Sequence, residues 1–158
     1  NVAMTYQSIQ CLKDQFPVSE EDFVAAIEEF PGVPGRFERM HPTFPWYFSG
    51  SHNTEGITST IKTVKSLKNK RKVIVIGMMK DKIIKEILNQ TLGFADRFFY
   101  KLEGDRAASL AGIPSHLHMK AIYDGDVEYM LSELKTSLVI FTGSFYFYSI
   151  VKEWMSRI

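Results

Sequence analysis

The segment Phe48-Ser49-Gly50-Ser51-His52-Asn53-Thr54-Glu55-Gly56 gathers hydroxyls, an imidazole, an amide and turn-forming glycines where an apolar strand gives way to a helix. Phe44, Trp46 and Phe48 alternate as strand residues do, Gly50 permits a sharp turn, and either Asn53 or Thr54 can cap the amphipathic run that follows. The unpaired backbone N–H groups of such a helix start favour an anion. Open α/β sheets hold ligands at this kind of place, beyond the carboxyl ends of their strands. Two more strand ends have the same character, Gly77 to Lys82 and Thr142 to Ser144. In a parallel sheet all three deliver their loops to one edge. Taken singly, each also fits an ordinary turn or helix cap. A phosphate-cradling G-x-x-x-x-G-K-[ST] loop is absent from the sequence, and Gly50 to Glu55 does not supply the G-x-G-x-x-G turn of a Rossmann oxidoreductase.

The elements that must position these residues alternate along the chain. Strands are expected at 44–50, 72–78, 95–101, 117–123 and 137–142, and helices at 53–68, 80–91, 106–111, 125–135 and 145–156. Such alternation with short connections predicts an α/β fold, a Rossmann-like, mostly parallel sheet with helices on both faces. Lys72-Val73-Ile74-Val75-Ile76-Gly77 and Ser137-Leu138-Val139-Ile140-Phe141-Thr142 are apolar at successive positions, which implies burial on both sides of the sheet. A short helical pair precedes this domain. Val2, Met4, Ile9 and Leu12 keep a helical period up to Phe16-Pro17; Ser19, with Asp22 three positions on, caps a second helix striped by Phe23, Ala26, Ile27 and Phe30. Pro31-Gly32-Val33-Pro34-Gly35 ends it, so the expected boundary divides residues 1–33 from 34–158.

Bulk properties narrow the function classes. A length of 158 residues with 45% hydrophobic content suits one compact domain and a short appendage, and a net charge of +1 gives no reason to expect nucleic acid or an acidic membrane surface. One cysteine, Cys11, precludes an internal disulfide framework, and a reducing, cytoplasmic setting is expected. The opening Asn1-Val2-Ala3-Met4 lacks a signal peptide's basic and apolar regions and reads as the start of a piece of a longer protein. Lys65, Lys68, Lys70, Arg71 and Lys72 read as a solvated helix end, and Asp105 and Arg106 as the opening of a short helix. His116 and His118 lack partners at ligand spacing, so no metal site is expected. The apolar load of Phe145, Phe147, Val151 and Trp154 suits core packing or an interdomain contact.

Taken in order, Asn1-Val2-Ala3-Met4, Pro34-Gly35-Arg36-Phe37-Glu38, Ser49-Gly50-Ser51-His52-Asn53-Thr54-Glu55, Gly77-Met78-Met79-Lys80-Asp81-Lys82 and Thr142-Gly143-Ser144-Phe145-Tyr146 resemble the C-terminal domain of the Mur ligase superfamily, in its folylpolyglutamate synthase and dihydrofolate synthase branch. That resemblance implies an ATP-dependent ligase joining glutamate to a folate or pteroate through an acyl phosphate, with Mg2+ and cationic groups steadying the charge. It also implies that the phosphate loop, the Mg2+ ligands and most of the folate site lie upstream, that residues 1–33 are the helical end of a central ATPase domain, and that this piece alone is inactive.

By the same resemblance, Asn1 contacts ATP from the central-domain side, and Arg36 reaches ATP across the domain interface, where a guanidinium can bind phosphate through two donors. His52 is the candidate catalytic residue, meeting a phosphate or the incoming amino acid, with Asn53 as neighbouring ligand or as cap. Lys80 and Ser144 are placed to grip the carboxylates of glutamate. Ser49 stands where the family has an aspartate that binds ribose hydroxyls, so a weakened nucleotide contact is expected there. The alternative is a degenerate member that keeps the fold as a nucleotide, amino-acid or interaction module.

Overall fold

The computed structural model describes residues 2–69, 71–80 and 84–158, and the chain falls into two compact units, Asn1–Val33 and Pro34–Ile158. The first unit holds helices α1 (Val2–Leu12) and α2 (Glu20–Glu29). Ser19 caps α2: its Oγ accepts from the Asp22 N–H at 3.0 Å and donates to the Asp22 carboxylate at 2.6 Å. Tyr6 and Phe23 meet at 5.1 Å, yet neither helix has a buried residue. Phe30 lies just past the end of α2 rather than within it.

The second unit runs β1 (Arg36–Arg39), β2 (Trp46–Ser49), α3 (Thr54–Ser66), β3 (Lys72–Gly77), α4 (Ile84–Gln90), β4 (Asp96–Tyr100), β5 (Lys120–Ile122), α5 (Asp124–Glu133), β6 (Leu138–Gly143) and α6 (Phe145–Ser156). They form one sheet in the order β1-β2-β6-β3-β4-β5, parallel throughout except that β1 runs antiparallel to β2. Successive side chains of a strand point to opposite faces, which explains the unbroken apolar runs. Val73, Val75, Val139 and Phe141 pack with Val127 and Leu131 of α5 and Phe147, Val151 and Trp154 of α6. Ile74, Ile76, Leu138 and Ile140 pack the other way, with Ile57, Ile61 and Val64 of α3 and Ile87 and Leu88 of α4. The expected α/β architecture, with helices on both faces, is the one observed.

Three elements differ from expectation. Arg36–Arg39, where no strand was expected, is an edge strand; its four residues, Arg-Phe-Glu-Arg, carry one apolar side chain and so no periodic signal. No helix forms at 106–111. The backbone there is bound sideways instead, Lys80 N–H to Arg106 O at 2.8 Å and Ala108 N–H to Met78 O at 2.9 Å, around an isolated bridge between Met79 and Ala107. The strand foreseen at 117–123 shrinks to Lys120–Ile122, because Ser115–Leu117 closes into a single 3-10 turn after Pro114. The expected helix over 80–91 is present as Ile84–Gln90, with 81–83 outside the described residues.

Candidate functional site

β2, β6 and β3 are consecutive in the sheet, so the loops that leave their carboxyl ends lie side by side. Ser49 pairs with Thr142 and Gly77 with Gly143. The Thr142 hydroxyl donates to Ser49 O at 2.7 Å, and the Ser144 N–H donates to Gly77 O at 2.8 Å, tying the three loops together. Gly143 has φ 120, and a Cβ there would sit 2.1 Å from Gly77 O, so only glycine lets this turn cross the end of β3. Asn53 caps α3, its Oδ1 accepting from the Gly56 N–H at 2.9 Å. Ser144 caps α6, its Oγ accepting from the Tyr146 N–H at 3.2 Å. Two helix starts thus open onto the same edge, each with the partial positive charge that suits anions.

Half-buried His52 has Nδ1 3.1 Å from Gly50 O. A carbonyl can only accept, so Nδ1 carries the hydrogen and Nε2 is the acceptor of the neutral ring. The imidazole lines a pocket of about 210 Å³ with Met78, Met79, Arg106, Ser144, Phe145 and Tyr146. Arg36 is exposed at the start of β1 and its guanidinium carbon lies 5.2 Å from the centre of the Phe145 ring. That ring in turn rests on two glycines: a Cβ on Gly35 or on Gly50 would come within 2.5 Å of it. A bulge separates Arg36 from Glu38, with Phe37 at φ 53, a left-handed conformation rare for an aromatic residue. Glu38 secures the bulge by accepting from the Gly35 N–H and the Tyr148 hydroxyl, each at 2.7 Å, and from Lys152 at 3.4 Å. Burial works against the Glu38 charge, but these donors outweigh it and hold its pKa below the usual carboxylate value. Burial and the same carboxylate push Tyr148 up to about 12.

A model of the Mur ligase glutamate ligase domain family matches residues 35–145, which include every loop of this edge. The chain belongs to that family. Among solved structures, the domain resembles FolC of Escherichia coli in complex with ADP and without folate substrate, at 25% identity and a TM-score of 0.81, covering 99% of this chain and 39% of that one. A bifunctional folylpolyglutamate synthase/dihydrofolate synthase, solved with Mn, AMPPNP and L-glutamate bound, shares the fold at 21% identity and a TM-score of 0.71, over 90% of this chain and 36% of that one. The UDP-N-acetylmuramoyl-L-alanyl-D-glutamate–2,6-diaminopimelate ligase of Listeria monocytogenes is 32% identical over 59 residues, 36% of this chain and 12% of the ligase. The chain therefore spans well under half the length of these proteins.

Within this Mur ligase domain, Arg36, His52, Asn53 and Ser144 lie at one edge, and Lys80, exposed, follows β3 at the same end. Ser49 is turned inward. It is 6% exposed, and its hydroxyl is bonded to those of Ser51 at 3.0 Å and Thr60 at 2.9 Å, with Ser51 and Thr60 joined at 2.8 Å. The three hydroxyls close on one another and tether the end of β2 to α3. Asn1 lies outside the described residues. Arg106 and Tyr146 also belong to the edge: besides the His52 pocket, they line an adjoining groove of about 700 Å³ with Met79, Tyr100, Asp124 and Arg157. The Tyr100 hydroxyl donates to Asp124 at 3.0 Å, and burial with that carboxylate pushes its pKa up to about 12. Arg106 was legible only as a helix opener; the available signal was Gly104, a turn glycine shortly after the strand that ends at Tyr100, and it adopts a left-handed φ of 93. Among the described residues no group of three or more His, Cys, Asp or Glu could hold a metal, and no helix is long and apolar enough to cross a membrane.

Proposed function

We propose that this chain is the C-terminal ligand-binding part of an ATP-dependent ligase that adds glutamate to a folate or pteroate. The observation that carries the reading is the convergence of Arg36, His52 and Ser144 on neighbouring loops at one sheet edge, in a chain of the Mur ligase glutamate ligase family. In the reaction, a carboxylate oxygen of the pterin substrate attacks the γ-phosphorus of ATP and ADP departs. The glutamate amine then attacks the acyl phosphate carbonyl, phosphate leaves, and the amine gives up a proton as the amide forms. Arg36 would offset phosphate charge with a fork of donors, while Lys80 and Ser144, with the α6 N-terminus behind it, would hold the glutamate carboxylates. His52, through Nε2, would take the amine's proton and, once protonated there, could donate to the phosphate. Asn53 would serve mainly as the cap that fixes the His52 loop.

The described residues of this chain do not fit a Mg2+ site, so we assign the metal's ligands, together with the phosphate loop and most of the folate site, to an upstream ATPase domain of which residues 1–33 would be the helical end. The exposed apolar side chains of α1 and α2, such as Met4 and Leu12, support that reading. The inward-facing Ser49 hydroxyl favours a second reading, a nucleotide or amino-acid binding module that has lost catalysis. ADP release by the full-length protein separates the two: the ligase sustains multiple turnovers of ADP release only when a folate or pteroate and L-glutamate are both present, whereas the module releases none under any combination.

A further inference from the structure

Helix α6 does more than cover the sheet. Its first turns present Phe145, Tyr148 and Lys152, which share one face of the helix, to the β1 edge. Tyr148 and Lys152 take the Glu38 carboxylate, and Phe145 lies beneath the guanidinium of Arg36. Between these two attachments stands Phe37 at φ 53, whose ring stacks on Tyr47 at 5.1 Å. A non-glycine residue persists in that conformation only where its surroundings over-determine it, and here they do so on both sides. Gly35 and Gly50 leave the space in which the Phe145 ring fits, and the Gly50 N–H bonds to Gly35 O at 2.7 Å, so the ring closes against a fixed floor. Phe145 is 43% exposed and adds little to the core.

We propose that Phe145 is a positioning residue: its ring, seated on Gly35 and Gly50, holds the Arg36 guanidinium in a preset orientation before any anion arrives. An arginine otherwise spends rotamer freedom when it binds, and stacking on an aromatic face removes that cost in advance. The phosphate role of Arg36 itself rests on the proposed function; its orientation by Phe145 does not.

The test therefore reads orientation and binding separately. In the 158-residue chain, the Arg36 side-chain Nε–H resonance is expected to be shifted by the Phe145 ring current, to move to its ordinary position in Phe145→Leu, and to stay shifted in Phe145→Tyr; thermal unfolding of each variant reports that it is folded. In the full-length protein, Phe145→Leu should raise the KM for ATP about fivefold with kcat little changed, and Phe145→Tyr should restore it. An unshifted wild-type resonance, or one that Phe145→Leu leaves in place, overturns the positioning. If Arg36→Ala raises the KM for ATP while Phe145→Leu and Phe145→Tyr behave alike, the positioning also fails and the ATP reading stands. If Arg36→Ala leaves that KM unchanged although the resonance behaves as expected, the ATP reading fails and the orientation survives.

Discussion

Single side chains at this edge divide into those exposed to solvent, such as Arg36 and Lys80, and those turned back to hold the loop. Asn53 belongs to the second kind, since its amide oxygen is committed to the Gly56 N–H. Asn53→Ala should lower stability by about 1 kcal/mol, read as a reduced midpoint in urea, whereas Asn53→Ser, also a good cap, should recover most of it. Ser49 is committed too. Ser49→Ala leaves Ser51 and Thr60 to bond each other, so we expect a loss of about 1 kcal/mol in stability and a KM for ATP within twofold of wild type in the full-length protein. A large rise in that KM at unchanged stability would instead return Ser49 to the nucleotide. The motif at 49–55 was readable from residue types, but the direction of the Ser49 hydroxyl depends on Thr60, a turn and a half into the following helix, and no residue type announces that contact.

At the scale of elements, the best-read parts were those whose pattern repeats. The apolar runs of β3 and β6 and the capped stripe of α3 follow from periodicities of two and of 3.6. The edge strand β1 escaped because its stability comes from elsewhere: Glu38 meets Tyr148 and Lys152 across more than a hundred residues, at a separation no local pattern encodes. That clamp carries a pH dependence. Glu38 is lowered in the fold, so its contribution is complete above the ordinary carboxylate pKa and is lost as the pH falls through the lower folded value. Tyr148 is raised to about 12, so its share is complete below the ordinary tyrosine pKa and fades as the pH rises through about 12. The melting temperature of the chain should therefore drop on both sides of neutrality. Glu38→Gln should flatten the acid limb relative to wild type, and Tyr148→Phe the alkaline one, when melting is followed by circular dichroism across pH. Superimposable acid limbs for wild type and Glu38→Gln would remove the clamp from the account.

On the scale of the whole molecule, the proposed ligase needs more than this sheet edge supplies. The edge offers two helix starts, an arginine, a lysine and an imidazole, yet no phosphate loop and, among the described residues, no metal cluster. Charge on transferring phosphoryl groups has to be met from several directions in a site closed to water, and one open edge cannot do this. The 158-residue chain alone should accordingly give no ATP-dependent glutamate ligation, and measurable turnover from it would refute the division of labour between this domain and an upstream one. The fold could be argued from the sequence because layered α/β structure is written in its periodicity, whereas on the proposed function the remaining chemistry comes from an upstream domain that these residues cannot spell out. The most direct measurement is incorporation of labelled glutamate into folate or pteroate acceptors by the full-length protein with ATP, compared between wild type, Arg36→Ala and Ser144→Ala. The account predicts incorporation by wild type, a KM for ATP raised at least about tenfold by Arg36→Ala, and a KM for glutamate raised by Ser144→Ala. Absence of incorporation by a folded wild-type protein, or incorporation that neither substitution alters, would contradict it.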